Sequence, residues 1–186
     1  MPIRPVDEAD LPLILAWRNA PEVRRNSFSR HVITEIEHRA WFERTRTDSR
    51  LRAYVFLSDE GLRCGVVTFI DLNPRDRTAT WGFYSAPDAP EGNGTRLGIC
   101  ALDEAFGPLG LHKVNAEVLV TNARSVHFHE KLGFVREGLL RENYFNGLEV
   151  TDVLRFGLLW PEWVERRPAL VSASATARPR SSMSND

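Results

Sequence analysis

The sequence predicts an α/β (α+β) domain with a mixed central sheet of about seven strands and helices on both faces. Three observations predict it. Apolar segments at Ala53–Ser58, Arg63–Asp71 and Thr78–Ser85 follow one another across short turn sequences, as the strands of an antiparallel meander do. Two helix-length segments precede that meander. After it, helical and strand patterns alternate, which lays helices against the sheet.

Taken in order, Ile3–Val6 is a short first strand, and a helix runs from about Ala9 to Asn19 with Leu11, Ile14, Leu15 and Trp17 on one side. Ala20–Arg30 is polar and punctuated by Pro21, so it reads as a loop. Thr34 with Glu37 three residues on has the form of a capping box, opening a helix through His38 and Trp41 to about Arg46. Asp59-Glu-Gly61 and Asn73-Pro-Arg-Asp76 supply the two meander turns. A helix from about Thr95 to Phe106 follows, then a strand over Lys113–Val120. Asn122 caps the next helix and Gly133 ends it. Strands from Phe134 to about Leu140 and from Thr151 to Trp160 complete the sheet. Past Pro161 the periodicity dissolves, and Ser172–Asp186 has almost no large apolar residue. The domain is therefore assigned to residues 1–164, with 165–186 expected as a disordered tail.

A chain of 186 residues suits one domain with a real core, and 42% hydrophobic with 26% charged residues is ordinary for such a domain. The formal net charge of −1 argues against nucleic acid as a partner, since phosphate neutralisation needs a basic excess. Cys64 and Cys100 have neither zinc-site nor redox-dithiol spacing and read as reduced core residues, and no metal site is expected. No apolar run reaches the roughly 20 residues of a membrane span, and the N-terminus lacks a signal-peptide apolar region, so the expectation is a cytoplasmic protein without a membrane partner.

Gly92-Asn-Gly-Thr-Arg-Leu97 lies between a strand and a helix. Backbone N–H groups at such a turn, with the helix dipole behind them, form an anion site suited to a pyrophosphate. Read alone, the same stretch is equally an ordinary glycine turn. Downstream, Asn122-Ala-Arg-Ser-Val-His-Phe-His-Glu-Lys-Leu-Gly-Phe134 joins a strand, an Asn-capped helix and a Lys-x-Gly-Phe ending. The pair of motifs resembles the GNAT superfamily of N-acetyltransferases, and the element order matches that fold throughout. The resemblance implies acetyl-CoA as co-substrate, held by Phe83, Tyr84, Gly92, Asn93, Gly94, Thr95, Arg96, Leu97, Asn122, Ser125 and Lys131. Glu91 and Arg96 stand where that family usually has Gln or Arg and then Gly or Ala, which bears on the individual contacts.

Acetyl transfer to an amine needs a base for the ammonium and an acid for the departing thiolate. Many GNAT enzymes place a tyrosine as acid two residues before the motif lysine; here that position is His129. A histidine can serve, and it can equally be a half-exposed helix residue. Glu117, an acidic residue in an otherwise apolar strand, is the expected base, with a solvent-facing carboxylate as the alternative.

For the acceptor, Trp17-Arg-Asn19, His38-x-x-Trp41, Trp81-Gly-x-Tyr84, Phe156-Gly157 and Glu162-Trp163 occur in an order that resembles the UDP-4-amino-4,6-dideoxy-N-acetyl-beta-L-altrosamine N-acetyltransferases of pseudaminic acid biosynthesis, over Ile3 to about Trp163. This implies a nucleotide-sugar acceptor bound by Arg18, Arg24, His38, Trp41 and Trp81, with arginines on the pyrophosphate and aromatic rings on uracil and sugar. Core packing is the other reading of those aromatics. A homodimer is a compatible assembly. Acetylation of a ribosomal-protein N-terminus or another small amine, and a non-catalytic acyl-CoA-binding module, are the competing functions.

Overall fold

A computed structural model describes residues 2–176. Seven strands form one sheet in the order β1-β2-β3-β4-β5-β7-β6. Strands β1 (Ile3–Pro5), β2 (Arg52–Leu57), β3 (Arg63–Asn73) and β4 (Thr78–Ser85) pair antiparallel in sequence, as their short turns require. Strands β5 (Lys113–Leu119), β7 (Val150–Leu159) and β6 (Val135–Phe145) form a second antiparallel group.

The two groups meet at the single parallel pair, β4 with β5. That pairing lasts three residues, Thr78–Thr80 against Lys113–Asn115. Past it β4 runs on to Ser85 and β5 to Leu119, still paired to their outer neighbours but not to each other. The sheet is therefore split from this point into a V.

Helices α4 (Asn93–Phe106), α5 (Ala123–Leu132) and α6 (Trp160–Thr176) cover one face. Their Leu97, Leu102, Leu132 and Trp163 pack with Phe56, Val67, Phe69, Val114 and Phe156 from the sheet. On the other face, α1 (Leu11–Asn19), α2 (Pro21–Arg25) and α3 (Glu35–Thr47) enclose a smaller cluster of Ile14, Trp17, Val55 and Val66. Strand residues alternate between these clusters, as the pleat demands. The capping box at Thr34 and Glu37 forms, and Gly133 takes φ +99° to end α5.

Two expectations are corrected. Within the stretch read as a loop, Pro21 opens the short helix α2, where its fixed φ and missing N–H cost nothing at the first position. The chain past Leu159 is helical to Thr176, so the expected tail over residues 165–176 is instead part of α6. Pro161 stands in its first turn. Trp163 and Leu170, seven residues apart, are both buried, and Arg167 grips Asp103 of α4 through two hydrogen bonds of 2.6 and 2.8 Å. The rest of the expected tail, 177–186, lies outside the described residues.

Candidate active site

The splayed end of the sheet opens a cleft of about 580 Å³. β4 lines one wall with Trp81, Phe83 and Tyr84, β5 supplies Glu117 and Val118, and α5 supplies Asn122, Ser125, Phe128 and His129. Gly92, Asn93 and Gly94 lie at its end, where α4 begins. Gly92 has φ +81°, a conformation glycine adopts without strain, and no side chain caps the helix N-terminus that follows. The dipole of α4 is thus directed at the cleft, which is the geometry for an anionic group.

Of the residues expected to hold the cofactor, Phe83, Tyr84, Gly92, Asn93, Gly94, Asn122 and Ser125 line this cleft. Asn93 also ties the loop to the sheet: its buried Nδ2 donates to Cys64 O at 2.9 Å and Ser85 Oγ at 3.2 Å. Thr95 and Arg96 send their amides back to Gly92 O within the first turn. Arg96 forms an ion pair with Asp59, and Lys131 donates to Thr95 Oγ1 at 2.9 Å, pinning α5 to α4 at the rim. Leu97 is fully buried in the core. Its side chain belongs to packing, which leaves only its backbone amide for the expected cofactor contact.

His129 is 3% exposed and both ring nitrogens are engaged. Nδ1 donates to Ser125 O at 2.7 Å, and Nε2 accepts from the Trp81 indole N–H at 3.2 Å. Phe156 stacks on the ring, with Phe134 edge-on. Burial pulls the imidazole pKa down to about 4, against the Ser125 carbonyl that favours the charged form. The ring is therefore neutral near pH 7 and has no proton directed at the cleft. The acid role expected of His129 does not fit this arrangement; the ring fixes the cleft wall. Trp81 is corrected with it. Its indole is buried among these rings on the α4–α5 face, stacked on Phe134, rather than among the acceptor-side groups.

Alternation along β4 turns Tyr84 to the opposite face. There a second cavity of about 510 Å³ lies under α1 and α3, lined by Arg18, Ile33, Glu37, His38, Trp41, Arg44 and Tyr84 among others. Val66, Thr68 and Tyr84 line both cavities, which therefore join through the split sheet. Glu117 faces this side as well, because its neighbours Ala116 and Val118 enter the α4 cluster. Its carboxylate forms an ion pair at 3.1 Å with Arg155 directly across on β7, and it remains one-third exposed.

The second cavity is cationic and under-satisfied. His38 is 6% exposed, stacks on Trp41 at 5.0 Å, and has no partner for Nε2 among the described residues. Burial lowers its pKa, so it is a neutral ring. Arg18 donates through Nη2 to Ser29 O at 2.7 Å, while its buried Nη1 has no partner. Arg24 Nε is likewise unpaired, and the two guanidinium charges act on each other. Arg24 itself is outside the lining of either cavity among the described residues. The cavity carboxylate, Glu37, is already committed: it accepts from Thr34 and His31, which holds its pKa near 2. Sequence reasoning found Arg18, His38 and Trp41 but missed Ile33, Arg44 and the dual placement of Tyr84, none of which carries a local motif.

Comparison with known proteins gives the family of the chain and its structural neighbours. Residues 1–135 match the acetyltransferase (GNAT) domain family. Spermidine N(1)-acetyltransferase of Vibrio cholerae is 28% identical over 166 residues, covering 88% of this chain and 95% of that protein. Its structure in complex with CoA and spermine superposes with a TM-score of 0.81 at 28% identity, over 87% of this chain and 96% of that one. Acetyltransferase PseH of Campylobacter jejuni is 24% identical over 69% of this chain and 79% of that protein. Among the described residues no helix is long and apolar enough to cross a membrane, and no group of His, Cys, Asp and Glu is placed to hold a metal.

Proposed function

Since the chain belongs to the GNAT acetyltransferase family and is an acetyl-CoA-dependent N-acetyltransferase, we propose that its acceptor is the amine of a UDP-linked 4-amino-dideoxy sugar. The observation that carries this reading is the pair of buried, unpartnered polar atoms, Arg18 Nη1 and His38 Nε2, in the cavity that joins the cofactor cleft at Tyr84. Buried polar atoms without partners are uncommon in folded proteins and call for a ligand to complete them. Guanidinium groups match phosphate oxygens, and the Trp41 ring offers a face for a uracil or a sugar.

A polyamine is the second reading, favoured by the spermidine acetyltransferase relatives. Charge weighs against it here. A polycation needs free carboxylates, whereas this cavity presents Arg18 and Arg44, and Glu37, the carboxylate among its described lining residues, is already bonded. A peptide N-terminus lacks the phosphates that the arginines suit.

In the proposed mechanism Glu117 takes the ammonium proton through water, from the acceptor face of the sheet. The freed amine attacks the thioester carbonyl across the split, the C–N bond forms, the C–S bond breaks, and the second N–H proton of the amine passes to solvent as the amide forms. No covalent enzyme intermediate is needed. Solvent returns a proton to the thiolate, because His129 holds none to give. A mass-spectrometric screen of amines with acetyl-CoA tests the acceptor class. Efficient acetylation of UDP-linked 4-amino sugars is expected, and acetylated peptides or spermidine with nucleotide sugars untouched would rule it out.

A further inference from the structure

β6 is exposed along most of its length, yet Tyr144 near its end is half-buried. What covers it comes from the other half of the chain. Phe28 meets the Tyr144 ring edge-on, with centroids 5.5 Å apart, and the Arg30 guanidinium lies over the same ring at 5.6 Å. Both belong to the segment between α2 and α3. That segment is tied on its other side to α1: Arg18 donates to Ser29 O, and the Asn19 side-chain amide exchanges bonds of 2.9 and 2.8 Å with the Ile33 backbone.

Residues 26–34 therefore span from α1 to β6, and they border both cavities, Phe28 lining the cofactor cleft and Ile33 the acceptor side. β6 is shaped for the contact. Its register with β7 shifts between Leu140 and Tyr144, and Glu142 takes φ +52° with its N–H bonded to Asp152 Oδ1 at 2.8 Å. Such an irregularity re-aims the side chains beyond it.

We infer that Tyr144 is a positioning residue for the acceptor, its ring clamping Phe28 and Arg30 so that residues 26–34 stay across the cleft. The consequence reaches Arg18. With Nη2 held by Ser29 O, its guanidinium has one orientation and Nη1 stays available to the acceptor. Releasing the segment returns rotamer freedom to Arg18, and binding must then order it again. The choice of ligand for the test rests on the proposed acceptor class; the clamp rests on the contacts alone.

The full-length protein is compared with Tyr144→Ala and Tyr144→Phe. UDP and acetyl-CoA binding are followed by calorimetry, and the segment by the rate of tryptic cleavage after Arg30. Tyr144→Ala is expected to weaken UDP about tenfold, the scale of a lost aromatic and cation–π contact, and to speed cleavage with acetyl-CoA affinity unchanged. Tyr144→Phe keeps the ring and should match the parent protein. Faster cleavage with unchanged UDP affinity, or equal loss of both ligands, overturns the positioning role. If UDP does not bind the parent protein, the nucleotide acceptor fails instead. Spermidine turnover then serves as the probe, and an unchanged spermidine KM in Tyr144→Ala overturns the clamp.

Discussion

His129 sits among Trp81, Phe134 and Phe156 as a neutral ring, and its protonation is linked to folding. The unfolded imidazole binds a proton below its ordinary pKa near 6.5, but the folded one resists until about 4. Stability is therefore lost as pH falls through that window, by up to roughly 3 kcal/mol if the whole shift counts. Thermal unfolding at pH 7 and pH 4.5 should show the loss, and His129→Phe should flatten the pH dependence between them. That variant leaves the Trp81 N–H unpaired, at a cost of about 1–3 kcal/mol, while turnover per folded molecule stays near that of the parent. A fall of two orders of magnitude in turnover would restore the acid role. Glu117→Gln is expected to lower kcat by about 10²–10⁴-fold and to remove the acidic limb of the pH–rate profile. An unchanged kcat would make the Glu117–Arg155 pair purely structural. Glu117 stands out in the sequence because one carboxylate interrupts an apolar strand, but its pairing with Arg155 is a contact between strands that only the fold supplies. The ligation of His129 was not, since Trp81 lies 48 residues away and only the fold brings its N–H to Nε2.

Local signals define an element when they are sequential, which is why Thr34 with Glu37 and Asn122 with Gly133 located α3 and α5 within a residue or so. α6 escaped that logic. Pro161 and Pro168 interrupt its pattern, and its stability comes from distant partners: Asp103 receives Arg167 and the Trp163 indole N–H, and Lys131 O receives Arg166. Trp163→Ala should accordingly cost about 3–5 kcal/mol of stability, measured by denaturant unfolding, a penalty that a dispensable tail would not incur. At the start of α4, a Cβ on Gly94 would meet only Phe128 at an ordinary 3.7 Å, so the fold tolerates a side chain there. The methyl groups of Gly94→Val instead enter the cleft. Acetyl-CoA affinity should drop with the melting temperature nearly unchanged, and unaltered affinity in the folded variant would move the pyrophosphate elsewhere.

Across the whole molecule, the proposed function depends on a break in the sheet. β4 and β5 pair for three residues and then part, so the cleft beside α5 meets the cavity under α1 and α3 at Tyr84. The antiparallel meander of β2, β3 and β4 was readable from its short turns, but the placement of β7 between β5 and β6 and the length of one parallel pairing are long-range properties that no local pattern encodes. The same holds for the unpartnered polar atoms of Arg18 and His38, which are buried only once α1 and α3 close over the sheet. Two openings joined through the split suit a ternary complex with direct transfer, so initial-rate plots for the two substrates should intersect rather than run parallel. On the proposed function, this cavity takes an anionic, phosphate-bearing amine. The most direct measurement is kcat/KM for a UDP-linked 4-amino sugar and for spermidine, in the parent protein and in Arg18→Gln. The account predicts that the sugar nucleotide is preferred, and that Arg18→Gln lowers its kcat/KM by about 10–100-fold, the worth of a charge-assisted hydrogen bond, with little effect on spermidine. Preference for spermidine that is undiminished or improved in Arg18→Gln would contradict it.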